Sequence, residues 1–319
     1  MQIRHALALL IATTSLAANA GYEDHPRFAE FAAELKSEYN VPEDEARRWL
    51  SEAKRMDSVL EAIQRPAEGT MEWDRYQDIF LTSKRIDAGR EFLKKHADLL
   101  AAAEQKYGVP RQIIAAIIGV ETFYGARQGN YRVLDSLATL AFDYPKRPIF
   151  WRELKALFAL AEVEGVDPGT IKGSYAGAMG YGQFIPTSYL AYAVDGDGDG
   201  KRDLWNNPAD AIFSVAAYFN KHGWATDQPV IEPARLKGNA YEPVINDDLQ
   251  PKWTVASLAQ MGAEATVALD PNASANLVRL IGKQGPEYYV GLNNYYVITR
   301  YNHSRLYAMA VYRLSEAIR

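Results

Sequence analysis

The carboxylate of Glu121 follows an apolar run, where an acidic side chain is an unusual choice. Residues 113–120 are all Ile, Ala, Gly or Val. Pro110 is well placed to start a helix and Gly125 to stop it, so the spacing predicts a helix on which Glu121 continues the apolar stripe. Lost hydration and the negative end of the helix dipole both raise the pKa of a carboxyl, and a general acid needs its proton. Glu121 is therefore a candidate general acid, and a buried structural ion pair is the alternative.

A glycine-rich stretch, residues 173–186, is the second candidate for chemistry. Its four glycines allow the backbone to approach a ligand closely. The Gly-Lys-Ser/Thr ending of a phosphate-binding loop is absent, so nucleotide binding is not expected. Ser174 and Gln183 supply hydrogen-bonding groups, while Tyr181 and Phe184 supply flat faces. This combination suits a sugar, and a tight turn between helices is the alternative interpretation.

Residues 195–200 alternate aspartate with glycine and match the start of an EF-hand calcium loop. Their oxygen ligands suit calcium and not zinc, and without a cation they would repel one another. Position twelve of the loop should be a glutamate but is Asn206, so the motif is incomplete. A structural calcium ion is predicted, with a solvated acidic turn as the alternative. The candidate ligands in this region are Asp195, Asp197, Asp199, Asp203 and Asp210.

The first 20 residues have the three parts of a secretory signal peptide. Arg4 precedes an apolar run from Ala6 to Ala18, and residues 18–20 form the small-x-small cleavage site Ala-Asn-Ala. The run is shorter than the roughly 20 apolar residues that span a bilayer. Export is therefore expected.

The composition excludes several classes of function. The chain has 319 residues, of which 48% are hydrophobic and 24% are charged, as in a soluble protein of about two domains. Its formal charge of −5 would become more negative once Arg4 is removed, which makes it a poor nucleic-acid binder. The chain has no cysteine. Disulfides, thiolate metal sites, a cysteine nucleophile and a lipid attached to a cysteine at the cleavage site are therefore not expected.

The elements that position these residues are predicted to be mainly helical. Residues 21–100 have apolar residues at helical spacing and offer no evident chemistry. Residues 101–224 are helical with long loops. Residues 225–292 contain short β-type runs and predict a small β-rich insertion. Residues 293–319 return to helix, with Ser304 as a candidate cap.

Four segments together make the chain similar to the lytic murein transglycosylase B family of bacterial cell-wall enzymes. They are residues 119–125, 174–186, 195–210 and 300–304. The similarity extends from about residue 25 to the end. It implies a mainly α fold: a lysozyme-like helical core with an EF-hand-like calcium loop, an N-terminal helical domain and a small β-rich insertion.

The resemblance also implies roles for particular residues. Glu121 would be the single catalytic acid and base. The residues implied to line the glycan cleft are Ser174, Gln183, Phe184, Tyr301 and Asn302. Those implied to bind structural Ca²⁺ are Asp195, Asp197, Asp199, the Lys201 carbonyl and Asp210, although the spacing to Asp210 has one extra residue. No organic cofactor is implied.

The implied reaction cleaves the β-1,4 bond between N-acetylmuramic acid and N-acetylglucosamine in peptidoglycan, without water, to leave 1,6-anhydromuramic acid ends. A soluble periplasmic enzyme without a membrane anchor is expected, with glycan strands as its partner and other cell-wall enzymes as open candidates. One rival is a hydrolytic muramidase, which would need Asp135 or Asp143 at the cleft. The other is a non-catalytic, calcium-stabilised glycan-binding protein.

Overall fold

The structure, a computed structural model, describes residues 21–64 and 71–319. Within these ranges the chain is mainly helical and has one five-stranded antiparallel sheet, which confirms the predicted mainly α fold with a small β-rich part. The predicted signal peptide, residues 1–20, lies outside the described residues.

The N-terminal helices pack through apolar residues at helical spacing. In the first helix, Phe28, Phe31 and Leu35 are buried on one face, as their spacing predicts. The fifth helix is capped by Thr82, whose hydroxyl accepts a hydrogen bond from the Arg85 N–H. The helices in this part are α1 (Phe28–Tyr39), α2 (Glu43–Glu52), α3 (Asp57–Gln64), α4 (Trp73–Phe80), α5 (Ser83–Lys95) and α6 (Ala97–Tyr107).

Helix α7 (Arg111–Thr122) lies at the centre of the molecule. Residues 113–120 are all buried, because helices α5 and α6 and two later helices pack around it. The helix ends before the predicted stop at Gly125, with Phe123 and Tyr124 both in the left-handed region at φ of 52° and 58°. Gly119 permits this turn, since a Cβ there would lie 2.5 Å from the Tyr124 ring.

The core also includes a short two-stranded sheet, in which β1 (Tyr131–Arg132) pairs antiparallel with β2 (Lys172–Gly173). This pairing anchors the start of the glycine-rich loop. The remaining helices of the core are α8 (Val133–Asp143), α9 (Ile149–Glu164), α10 (Pro186–Tyr192) and α11 (Pro208–Lys221).

The five-stranded sheet has the strand order β4-β6-β7-β3-β5, with every neighbouring pair antiparallel. Leu277 and Val290 on one face join a small separate apolar cluster, whereas Val278 and Tyr289 on the other face join the main core. The elements are β3 (Ile231–Leu236), β4 (Trp253–Thr254), α12 (Val255–Gln260), β5 (Ala263–Ala265), β6 (Ser274–Gly282) and β7 (Gly285–Leu292).

Two final helices, α13 (Asn293–Tyr301) and α14 (Arg305–Ile318), return from the sheet to the core. Ser304 caps α14 by accepting a hydrogen bond from the Tyr307 N–H, which confirms the predicted cap. Helix α14 packs along α7 and also contacts α4 and α5. It therefore brings the end of the chain beside Glu121.

Candidate active site

Glu121 is half-buried at the end of α7 and accepts a hydrogen bond from a tyrosine on α14. The Tyr307 hydroxyl lies 2.6 Å from Glu121 Oε1, although 186 positions separate the two residues. Tyr307 is 2% exposed, and its burial and the neighbouring Glu121 carboxylate raise its pKa well above the usual value. The phenol therefore stays protonated near neutral pH and donates a hydrogen bond to the carboxylate. This contact orients the candidate acid.

A second tyrosine connects this pair to the glycine-rich loop. The Tyr301 hydroxyl donates a 2.5 Å hydrogen bond to the Gly182 carbonyl, and its ring is nearly parallel to that of Tyr307, with centroids 6.5 Å apart. A Cβ at position 182 would lie 2.8 Å from this hydroxyl, so the glycine makes the approach possible. Burial, followed by the Glu121 charge, raises the pKa of Tyr301. Two neutral phenols, those of Tyr301 and Tyr307, thus lie near this carboxylate.

One of the N-terminal helices also reaches the site, although the sequence of residues 21–100 offered no evident chemistry. Tyr76 on α4 is buried and close enough to Tyr307 to contribute to its raised pKa. Neither tyrosine stands out in the sequence, because each occupies an ordinary core position on an amphipathic helix. Only the packing of α14 against α7, and of α4 against α14, identifies them.

The polar residues predicted in the glycine-rich loop are held by the backbone. Ser174 Oγ accepts hydrogen bonds from the N–H groups of Ala178, at 3.0 Å, and Ala176, at 3.3 Å, so its own proton is available to a ligand. Gln183 Nε2 donates to the carbonyls of Gln128, at 3.1 Å, and Gly180, at 3.0 Å. Gln183 is also in the left-handed region, at φ 49°. These bonds fix the direction of both side chains.

The apolar and C-terminal residues predicted for the cleft differ in exposure. Phe184 is only 3% exposed, and its ring centroid lies 6.0 Å from that of Tyr301. It therefore packs against the Tyr301 ring inside the core and offers no open face to a ligand. Asn302 is exposed at the turn between α13 and α14. Thr122 joins α7 to the loop, since its Oγ1 donates a 2.8 Å bond to the Tyr181 carbonyl.

The two carboxylates considered for a hydrolytic mechanism are engaged elsewhere. Asp135 accepts a 2.9 Å hydrogen bond from the Lys54 N–H and pairs with Arg132 at 3.2 Å. Asp143 accepts a 2.5 Å hydrogen bond from the Tyr22 hydroxyl and pairs with a neighbouring arginine at 3.3 Å. Both carboxylates therefore bind residues of the N-terminal segment, residues 22–55, and attach this segment to α8.

Three of the predicted metal ligands come together at residues 195–200, which we call the acidic loop. Oxygens of Asp195, Asp197 and Asp210 all lie within 4.8 Å of one another, and Asp199 does not belong to this group. Instead, Asp199 Oδ1 accepts a 2.8 Å hydrogen bond from the Lys201 N–H. Converging carboxylate oxygens are the donors that Ca²⁺ prefers, so the residues present fit this ion.

The backbone holds these carboxylates in place. Asp195 accepts hydrogen bonds from the N–H groups of Gly198 and Gly200, and such bonds lower its pKa. Asp210, on the first turn of α11, is fully buried and accepts 2.7 Å bonds from the N–H groups of Gly196 and Asp203; burial raises its pKa. The extra residue before Asp210 does not separate it from the group.

A cavity of about 510 Å³ lies between the acidic loop and the short sheet. Lys201 and Asp203 line it, whereas Glu121 and the residues expected to bind the glycan do not, so this cavity is not the site around Glu121. Gln128 in its wall connects the two regions: its Nε2 donates to the Trp205 carbonyl at 3.0 Å, and its own carbonyl accepts from Gln183.

None of the helices in the described part of the chain has the length and apolar character needed to cross a bilayer.

Comparisons with known proteins agree over most of the chain. The family described as "Transglycosylase SLT domain" matches residues 23–316. The membrane-bound lytic murein transglycosylase B of Escherichia coli (strain K12) is 40% identical over 307 residues, which cover 93% of this chain and 84% of that protein.

Solved structures show the same fold. Catenated lytic transglycosylase SltB1 from Pseudomonas aeruginosa has a TM-score of 0.90 and 45% identity, covering 93% of this chain and 98% of that one. Escherichia coli Slt35 in complex with calcium has a TM-score of 0.85 and 41% identity, with coverages of 94% and 95%. SltB3 from Pseudomonas aeruginosa in complex with NAG-anhNAM-pentapeptide has a TM-score of 0.80 and 31% identity, with coverages of 91% and 79%.

Proposed function

The chain belongs to the transglycosylase SLT domain family, and we propose that Glu121 acts as both acid and base in its lytic transglycosylase reaction. The activity itself follows from the relatives, which are lytic murein transglycosylases. One observation carries the assignment of Glu121: a buried, neutral Tyr307 donates a 2.6 Å hydrogen bond to this carboxylate. The other two candidate carboxylates, Asp135 and Asp143, are committed to the N-terminal segment.

The proposed reaction needs one carboxyl group because the substrate supplies the nucleophile. Protonated Glu121 donates its proton to the glycosidic oxygen as the bond to C1 of the muramic acid breaks. The ionised carboxylate then takes the proton of the C6 hydroxyl of the same sugar. The C6 oxygen bonds to C1 and closes a 1,6-anhydro ring. Glu121 regains its proton and no water is consumed.

The tyrosines fit both halves of this reaction. The Tyr307 hydroxyl can donate a hydrogen bond to Oε1 of both the protonated and the ionised carboxyl. It therefore keeps the Glu121 side chain oriented while Glu121 loses and regains its proton. An O–H donor also stabilises the ionised form, which the second half requires. The Tyr301–Gly182 bond holds the glycine-rich loop beside this pair, and Ser174 and Gln183 on that loop are the proposed sugar contacts.

The glycan partner and the location follow from the same family. SltB3 was solved with NAG-anhNAM-pentapeptide, and Slt35 with bulgecin A. The corresponding ligand for this chain is a peptidoglycan strand. The signal-peptide pattern of residues 1–20 supports export to the periplasm, the compartment that contains this substrate.

Calcium is the proposed ligand of the acidic loop. The solved calcium complex of Slt35 supports this, together with the converging oxygens of Asp195, Asp197 and Asp210. The family pattern adds Asp199 and the Lys201 carbonyl to the proposed shell. A bound ion would offset the mutual repulsion of the carboxylates and stabilise the loop before α11.

The mass of the products tests the reaction. Purified sacculi digested with the protein should release muropeptides that weigh one water less than hydrolysis products and carry no new reducing end. Reducing-end muropeptides would support the muramidase instead. Binding without any product would support the non-catalytic glycan-binding protein.

A further inference from the structure

Three cations surround the ring of Phe123, two positions after Glu121. The Arg85 and Arg127 guanidinium carbons each lie 5.2 Å from the ring centroid, and the Lys84 ammonium lies 6.0 Å from it. Each such contact with an aromatic face is favourable, but three like charges near one ring repel one another. Within the described ranges no ion pair involves any of the three. The cluster therefore lacks a partner anion from these parts of the chain.

The buried member of the cluster is incompletely hydrogen-bonded. Arg85 is 8% exposed, and its Nε has no hydrogen-bond partner among the residues that the structure describes, although one terminal nitrogen donates to the Ile79 carbonyl. Burial lowers the pKa of Arg85, and the neighbouring Arg127 lowers it further. A buried donor without a partner costs about 1–3 kcal/mol, so a ligand oxygen here would be stabilising.

The backbone places two of these cations, Lys84 and Arg85, where the dipole of their helix disfavours positive charge. Lys84 and Arg85 lie in the first turn of α5, at the positive end of its dipole, and no acidic residue occupies that turn. Phe123 takes the left-handed conformation, and the Arg127 N–H then closes the turn with a 2.8 Å bond to the Thr122 carbonyl. Helix α5 packs directly on α7, so the cluster is built beside the end of the helix that carries Glu121.

We propose that Lys84, Arg85 and Arg127 around Phe123 form a subsite for carboxylates of the glycan substrate. The proposal rests on the proposed function, because it adds a substrate preference to the reaction assigned to Glu121. The carboxylate has two possible sources: the peptide attached to the muramic acid, or the lactyl group itself in a strand without peptides. In both cases the subsite distinguishes acidic glycans from neutral ones.

Affinity for three glycans tests the subsite in an E121Q background, where turnover does not interfere. The glycans are a peptide-bearing strand, a peptide-free strand with lactyl carboxylates, and a neutral N-acetylglucosamine oligomer. The test variant adds Lys84→Gln and Arg127→Gln, both exposed, and leaves the buried Arg85 intact. The control variant adds Lys106→Gln and Arg48→Gln, which removes two exposed cations that also lie over aromatic rings.

Calorimetry should show that the test variant binds at least one acidic glycan about fivefold more weakly, as expected for two exposed ion pairs. The neutral oligomer should bind as before, and the control variant should bind all three glycans as the background protein does. A loss confined to the peptide-bearing strand would identify the peptide as the source, and one confined to the peptide-free strand would identify the lactyl group.

Three results would overturn the subsite. They are a loss below about twofold for both acidic glycans, an equal loss for the neutral oligomer, and an equal loss in the control variant. If wild-type protein still releases anhydro products, these results remove the subsite alone. Failure to bind any glycan would remove the proposed function as well.

Discussion

The acidic loop and the site around Glu121 both depend on carboxylates, but the two regions hold them in opposite ways. In the loop, Asp195 and Asp197 are two positions apart and are held largely by nearby backbone N–H groups. At the active site a single carboxylate meets a phenol 186 positions away, on another buried helix. The loop concentrates negative charge and suits a cation, whereas the neutral phenol of Tyr307 beside Glu121 suits proton transfer. Stability and chemistry should therefore respond separately to changes in the two regions.

Among these changes, Glu121→Gln should cause the largest loss of turnover. The amide keeps the size of the acid but cannot donate its proton, and loss of general acid catalysis lowers rates by about 10²–10⁴. The loss should be at least this large, since the same group is used in both halves of the proposed reaction. Turnover is measured by muropeptide release and stability by thermal unfolding, which should be unchanged or improved. Near-normal release would place the acid elsewhere.

Tyr307→Phe should have the next largest effect. It removes a hydrogen bond to a charged group, typically worth about 1.5–3 kcal/mol, so turnover should fall by about 10- to 100-fold. Tyr312→Phe on the same helix is the matched control and should keep full turnover. Rates and melting temperatures of both variants separate orientation of Glu121 from general destabilisation. A Tyr307→Phe variant with wild-type turnover would mean that the phenol does not position the carboxylate.

Calcium removal should affect stability far more than chemistry. A ligand at 100 times its dissociation constant stabilises the native state by about 2.7 kcal/mol, so chelation should lower the melting temperature by several degrees. Asp197→Ala should reduce this response, while Asp44→Ala, an exposed aspartate on α2, should keep it. Folded chelated protein at moderate temperature should retain its turnover. Identical melting curves with and without chelator would remove the proposed ion.

Asp143→Asn should have the smallest effect. The amide still accepts from Tyr22, and the lost pair is with Arg55, whose side chain is 55% exposed, so the cost is at most about 1 kcal/mol. Turnover on sacculi should stay within about twofold of wild type. A large loss of turnover with an unchanged melting temperature would give Asp143 the catalytic role that the muramidase requires.

Local spacing was enough to predict much of both regions. The helix carrying Glu121 follows from an apolar run between a proline and a glycine. The Ser304 cap and the clustering of Asp195 with Asp197 also depend on neighbours along the chain. These features are accessible from sequence because hydrogen bonds within a turn or a helix involve residues only a few positions apart.

The tertiary structure decided what surrounds those residues. It brings the Tyr307 hydroxyl into hydrogen-bonding contact with Glu121, and it packs the buried Phe184 ring against Tyr301. It also pairs Asp135 and Asp143 with residues near the start of the described chain. It also brings Asp210 to the acidic loop and leaves Asp199 outside the group. These contacts join residues far apart in the chain or depend on the exact path of a loop. Side-chain periodicity identifies which face of a helix is buried, but only the packing of helices determines which residue that face meets.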